Sequence, residues 1–414
     1  MKNNTSKLSL TRVLLAGGFI LTLAMGIRHG FGLFNLPVTQ ANGWARETFA
    51  LAIALQNLVW GLTQPIFGGL ADRFGGYKIL LLGAVLYTLG LLGSGLSNSS
   101  VSFVITTGVV LGLALACTTY SVVYGIIGRN CSASERVWAM GIAAAMGSFG
   151  QFLMIPVEQE LITNFGIQNA LFILAMLTCS MLPFAWVLRE NNFSPVDTGS
   201  QQTMSHAIKE AFSQRSFQLL IAGYFVCGFQ VVFIGAHLAP YLKDMSATYP
   251  EVGRPEVATI ALALVGLFNI FGTYYAGKLG QRLPKHMLLA GIYGSRAVVI
   301  SAFILLPLSP LTAYLFAAFM GFLWLSTVPL TNGIVAHIFG VKYLSMLSGF
   351  AFLSHQVGGF MGAYLGGYLF DLTGSYQLVW VIAIALSVIA ALANLPIKEK
   401  ELMRQATPST SPAQ

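Results

Sequence analysis

Charge is the scarcest property of this sequence: 9% of its 414 residues are charged, against 56% hydrophobic. A soluble enzyme needs a more polar surface, so that class is excluded. Acid is rarer than base, with 14 Asp and Glu to 22 Lys and Arg. Every acid is assigned to a loop or the end of an apolar run. Asp72, Glu135, Glu190, Asp197, Glu210, Glu399 and Glu401 fall on one side, and Glu47, Glu158, Glu160, Asp244, Glu251, Glu256 and Asp371 on the other. A membrane core without carboxylates is therefore expected. The four cysteines, Cys117, Cys131, Cys179 and Cys227, are scattered and suggest neither a metal set nor a disulfide framework. With no nucleotide loop, metal cluster or nucleophile constellation, no cofactor is expected and an enzyme does not fit. The leader MKNNTSKLSLTR reads as a basic lead into a long helix, not a cleavable signal.

What the chain has instead is length in apolar runs. Twelve spans are predicted, near 13–37, 47–70, 79–97, 101–128, 137–158, 165–188, 216–241, 257–277, 287–306, 311–337, 343–370 and 376–396. An even number puts both termini on one side. That side carries 17 of the basic residues, and the other only Arg46, Lys243 and Arg254. Such asymmetry predicts cytoplasmic termini. The net charge of +8 then concerns the bilayer, and no nucleic-acid partner is expected. Residues 1–188 read as one six-helix half and 216–397 as a second, joined by a polar cytoplasmic connector over 189–215. The tail, 398–414, is expected to be solvated and frayed.

Between the second and third spans lies GGLADRFGGYK, Gly68 to Lys78. Glycines there permit close helix approach and left-handed backbone, and Asp72 with Arg73 forms a charge pair that a neighbouring helix terminus can receive. The spacing Gly-xxx-Asp-Arg-x-Gly resembles the loop between helices II and III of the major facilitator superfamily. It departs at Gly76 and Tyr77, where the family usually has basic residues. A partial echo, Gly277-Lys-Leu-Gly-Gln281-Arg282, follows 209 residues later without the acid. The segments GIRHGFGLFNLP, AMGIAAAMGSFGQFLMIP, FLWLSTVPLTNGIV and FLSHQVGGFMGAYLGGYLFDLTGSY are similar to bacterial members of its monocarboxylate-porter-like branch. The resemblance implies an all-α membrane protein of twelve helices in two six-helix halves, a monomer in a bacterial inner membrane. It further implies secondary transport of a small organic anion, with a proton as candidate co-substrate. Gly68, Asp72, Arg73 and Gly75 would then serve conformational gating. The intramembrane Arg that follows a Gly in the branch's eighth helix is missing at Gly272-Thr273.

Cations without acids in the core need a partner, and an anionic substrate would supply one. Arg28 in the first span is the leading candidate, since its planar fork matches a carboxylate. His29 beside it points about 100° away. His355, flanked by Ser354 and Gln356, is the candidate proton-coupling residue. Asn57, Tyr120, Gln151, Gln230, Asn269 and Asn332 are candidate substrate contacts. Arg296 is divided between anchor and cavity residue. An exporter of a drug or siderophore-like metabolite shares these features. A non-transporting membrane sensor would favour a large soluble appendage.

Overall fold

In a medium without water, backbone amides must bond one another, and a helix does this within a single segment. The computed structural model describes residues 8–44, 46–190 and 202–402; among them there is no strand. Helix α1 (Leu10–Gly30) leads through a 3-10 turn, Phe31–Phe34, into α2 (Asn35–Asn42). Then come α3 (Arg46–Phe74), α4 (Gly76–Gly95) and a composite pass. That pass comprises α5 (Ser100–Phe103), a π-helical stretch over Val104–Val110, α6 (Leu111–Thr118) and α7 (Tyr120–Asn130). Helix α8 (Arg136–Cys179) contains two passes, because the chain turns over at Gly166 with φ 74° and ψ 172°. Helices α9 (Met181–Val187) and α10 (Met204–Ser213) follow. The second half holds α11 (Arg215–Asp244), α12 (Pro255–Leu279), α13 (Lys285–Leu305), α14 (Pro310–Leu323), α15 (Thr327–Phe339), α16 (Leu344–Thr373) and α17 (Gln377–Asn394).

Among the described residues, nine segments are apolar and long enough to cross a membrane. The segment Arg136–Val187 is two passes, and α3 and α16, at 29 and 30 residues, complete the twelve. Three features differ from the sequence reading. First, α8 runs on past residue 158 to Gly166, so Glu158 stands inside a helix rather than in a loop. Second, the connector contains α10, capped by Thr203 and held to the second half by the Tyr343 hydroxyl, which donates to Gln202 O at 2.8 Å; residues 191–201 lie outside the described residues. Third, the start of the tail is fastened rather than frayed. Glu399 accepts from Lys285 Nζ at 3.0 Å and the His286 amide at 2.7 Å, and Leu402 N donates to Ile338 O at 3.1 Å. Burial acts to raise the Glu399 carboxyl, but these donors outweigh it and hold it below the usual carboxylate range.

Two passes are broken in matching places. At Thr119 the backbone is extended, separating α6 from α7. The carbonyl freed at Ala116 accepts from Gln64 Nε2 at 2.8 Å, while Trp60 Nε1 reaches Gln64 Oε1 and Thr119 Oγ1 at 2.9 and 3.2 Å. In the second half, α14 ends before Trp324 and α15 begins at Thr327. Pro329 contributes to that break by withholding a backbone donor from the preceding turn. Asn269, 209 residues after Trp60, accepts Leu325 N at 3.0 Å. The same offset that relates the two glycine turns thus relates the residues holding the two breaks.

The halves meet through glycine on the side bearing the termini. A Cβ on Gly68 would stand 2.4 Å from Ser345 O, one on Gly349 2.7 Å from Pro65 Cα, and one on Gly141 2.7 Å from Gly277 Cα. Such contacts leave no room for a side chain, so the molecule is closed on the termini side.

Candidate functional site

A run of polar contacts crosses from α1 through α3 to α16. Arg28 Nη2 donates to Asn57 Oδ1 at 3.0 Å. Gln356 Nε2 reaches the carbonyl and the side-chain oxygen of the same Asn57 at 3.3 and 3.5 Å. Gln356 Oε1 in turn lies 3.3 Å from His355 Nδ1. The expected Arg28, Asn57 and His355 are thereby brought together, with Gln356 as an unforeseen joint. His29 turns away and bonds Met25 O, one turn back in its own helix, at 2.7 Å. His355 is 6% exposed, sandwiched between Phe352 at 5.5 Å and Tyr224 at 5.0 Å between ring centres. Two buried polar atoms of this run, Arg28 Nε and His355 Nε2, have no hydrogen-bond partner among the described residues, and neither do the hydroxyls of Tyr120 and Tyr124 elsewhere in the first half. Those two tyrosines open α7 directly after the Thr119 break, with ring centres 5.6 Å apart.

Other expected residues are occupied by the scaffold. Gln230 donates to Ala383 O at 3.0 Å and to Ser387 Oγ, and accepts Arg296 Nη1 at 3.1 Å. Arg296, 0% exposed, uses its other arm on the carbonyls freed at the second break, Leu323 O at 2.7 Å and Trp324 O. It also touches Cys227 Sγ at 3.6 Å and lies over the Tyr293 ring. Arg296 is thus an anchor for the broken helix. Asn269 Nδ2 donates to Ser148 Oγ at 2.9 Å, joining α12 to α8 across the halves. Asn332 Nδ2 bonds Val328 O within its own helix at 2.8 Å. Gln151 is half-buried on α8, opposite Gly266 of α12.

The glycine turn sits apart from this region, at the closed seam. Asp72 Oδ2 accepts the Met346 amide at 2.9 Å in the first turn of α16, and Arg129 Nη1 meets its Oδ1 at 3.3 Å. An acid on the exposed amides of a helix N-terminus is favoured by the local dipole. Arg129 continues to Glu190 at 3.3 Å, tying this joint to the end of the first half. Gly75, with φ 97°, supplies the left-handed residue that starts α4. Arg73, expected to form the charge pair with Asp72, is instead exposed and lies 5.2 Å over the Phe74 ring, and Arg129 is the cation that meets the acid. In the echo, Gln281 takes the place of the acid and donates to Ser134 O at 3.2 Å.

One expectation about the core is overturned. Glu158 is 0% exposed, and neither carboxylate oxygen has a partner among the described residues. Its seat is made by Gly30, where a Cβ would stand 2.3 Å from Glu158 Oε2. The apolar run ends near residue 158, which hides that the helix continues and turns this acid inward.

Twelve passes in two related halves, with paired broken helices and polar groups gathered between them, are the architecture of a membrane transporter. The sequence pattern of the Major Facilitator Superfamily matches residues 14–361, and the chain belongs to that family. It is 24% identical over 405 residues to the uncharacterized MFS-type transporter YcxA of Bacillus subtilis (strain 168), covering 94% of this chain and 95% of that protein. Monocarboxylate transporter 13 of Bos taurus is 24% identical over 381 residues, covering 90% and 85%. Among solved structures, the fucose:proton symporter FucP of E. coli superposes with a TM-score of 0.70 at 15% identity, covering 93% of this chain and 97% of that one. The proton:xylose symporter XylE gives 0.69 at 15% identity, covering 95% and 97%. At those identities the likeness concerns the fold.

Proposed function

We propose that this transporter moves a small organic anion of the monocarboxylate type, coupled to a proton, across a bacterial inner membrane with both termini in the cytoplasm. The observation that carries this is the Arg28–Asn57–Gln356–His355 run. It puts a guanidinium with spare donor capacity at the meeting of the halves, in one run of contacts with a histidine of the second half. A carboxylate accepts from exactly such donors, and it would neutralise a cation held in poorly hydrated surroundings. The monocarboxylate transporters among its relatives support the substrate class. The division of basic residues, 17 against 3, supports the orientation. The halves are taken as 1–188 and 216–397, moving about the connector.

The test is uptake into proteoliposomes. Lactate and pyruvate should be concentrated when an inward proton gradient is imposed, and cationic dyes should not be. Equal handling of dyes and carboxylates, or indifference to the gradient, would overturn the reading.

A further inference from the structure

We propose that Glu158 is the proton-carrying group of this transporter, bound as a neutral carboxylic acid in the conformation closed on the termini side. The inference rests on the proton-coupled reading above and gives the coupled ion a site on α8.

The seat is built for a carboxyl group. Gly30 ends α1, and its missing side chain is what makes room: a Cβ there would meet Glu158 Oε2, Cδ and Oε1 at 2.3, 2.5 and 2.7 Å. One turn earlier on α8, Met154 packs over Gly26 in the same manner, so the contact continues along both helices. The carboxyl is fully buried, and neither oxygen meets a donor among the described residues. The titratable and charged groups facing this region are few. Tyr87 of α4 is within electrostatic reach of both Glu158 and Arg28, but its hydroxyl is committed to Ala24 O at 2.9 Å. From α1 come Arg28, turned to Asn57, and His29, turned to Met25 O. On α8 itself the neighbouring acid Glu160 is exposed and holds Asn164 Nδ2 at 2.8 Å. No described cation touches the carboxyl.

An ionised carboxylate so placed lacks every usual compensation, whereas a neutral acid forgoes far less solvation. Binding one proton supplies what the protein withholds, without any other atom moving. Helix α1 then links the two ligands. It presents Arg28 on one face and, 200° further round, the glycine that seats Glu158. An anion drawing on Arg28 shifts α1 against α8, and that shift opens or closes the dry seat of the acid. Proton and anion binding thereby become mutually dependent, as symport requires.

The test compares reconstituted wild type, Glu158→Gln and Gly30→Ala. The amide mimics the neutral acid in shape and should fold. Glu158→Gln should keep exchange of labelled lactate or pyruvate within a few fold. It should lose proton-driven accumulation by about tenfold or more, within the span of typical coupling energies. Gly30→Ala, which displaces the carboxyl from its seat while keeping the acid itself, should shift the pH dependence of uptake. Infrared difference spectra of wild type minus Glu158→Gln should contain the carbonyl stretch of a protonated carboxylic acid at neutral pH. Proton-driven accumulation by Glu158→Gln at the wild-type level, or no such band, overturns the proposal. A wild type that transports no carboxylate under any gradient sinks the transport reading instead, and the infrared band then decides the protonation site by itself.

Discussion

Arg28 on α1 donates to Asn57 on α3 at 3.0 Å, and the same Asn57 receives Gln356 from the other half of the molecule. One asparagine therefore joins the cation to the seam between halves. Asn57 is itself oriented by a bond from its Nδ2 to Ile53 O at 3.0 Å. An anion bound at Arg28 as proposed would compete with this joint, and substrate occupancy would then be coupled to the contact between halves.

Arg28→Lys keeps the charge and loses the fork, and should weaken carboxylate binding several fold. Arg28→Gln removes the charge as well. It should weaken binding by about 10- to 100-fold, the loss of one or two charge-assisted hydrogen bonds. Equilibrium binding of labelled substrate to purified protein measures both. Normal affinity in the glutamine variant would dismiss Arg28 as the anion site.

His355→Gln retains a group able to bond Gln356 but cannot change charge. Exchange and proton-driven accumulation should persist, and part of the pH dependence of substrate affinity should be lost while the part linked to Glu158 remains. Affinity measured as a function of pH separates this from Glu158→Gln. Loss of accumulation in the histidine variant would move the coupling role to His355.

Asp72 lies at the closed seam, far along α3 from Asn57, and caps α16 through the Met346 amide. Asp72→Asn should slow transport about tenfold or more while binding stays within a few fold, since the removed contact holds a conformation and not a ligand. Parallel measurement of turnover and dissociation constant decides it. A large affinity loss with normal turnover would contradict a gating role.

Glu399 ties the start of the tail to α13 through Lys285 and His286. Its carboxyl titrates below the usual range in the folded protein. Its stabilising contribution is therefore complete above the unfolded carboxylate value and is lost as pH falls through the lower folded one. Glu399→Gln should lower stability by on the order of 1 kcal/mol at neutral pH. Melting curves of wild type and variant should converge as the medium becomes strongly acidic. A constant gap at every pH would rule out the ionic contribution.

The passes were legible because bilayer length and the absence of charge constrain each helix independently of its neighbours. Arg28 and His355 were legible for the same reason, as exceptions in apolar runs. Glu158 was not, because its helix continues about two turns past the apolar stretch and only the partner surface at Gly30 reveals that the acid turns inward. The break at Thr119 carries no local proline or glycine; Gln64 and Trp60, more than fifty residues away, hold it open. Pro329 was a usable sign of the second break. That Arg296 and Asn269 serve this break depends on tertiary contacts no local pattern encodes.

The glycine seam has an energetic consequence for the transport cycle. Where Gly141 meets Gly277, and Gly349 meets Pro65, main chain lies on main chain. Closing at these two contacts immobilises few rotamers, since backbone and not side chain makes them. At these points the balance between closed and open forms rests on close backbone approach, which a side chain would prevent. Larger side chains at these positions would bias that balance and slow the machine toward a static pore lining: Gly141→Leu should hold the termini side ajar, with thiol reagents reaching the interior from that face alone.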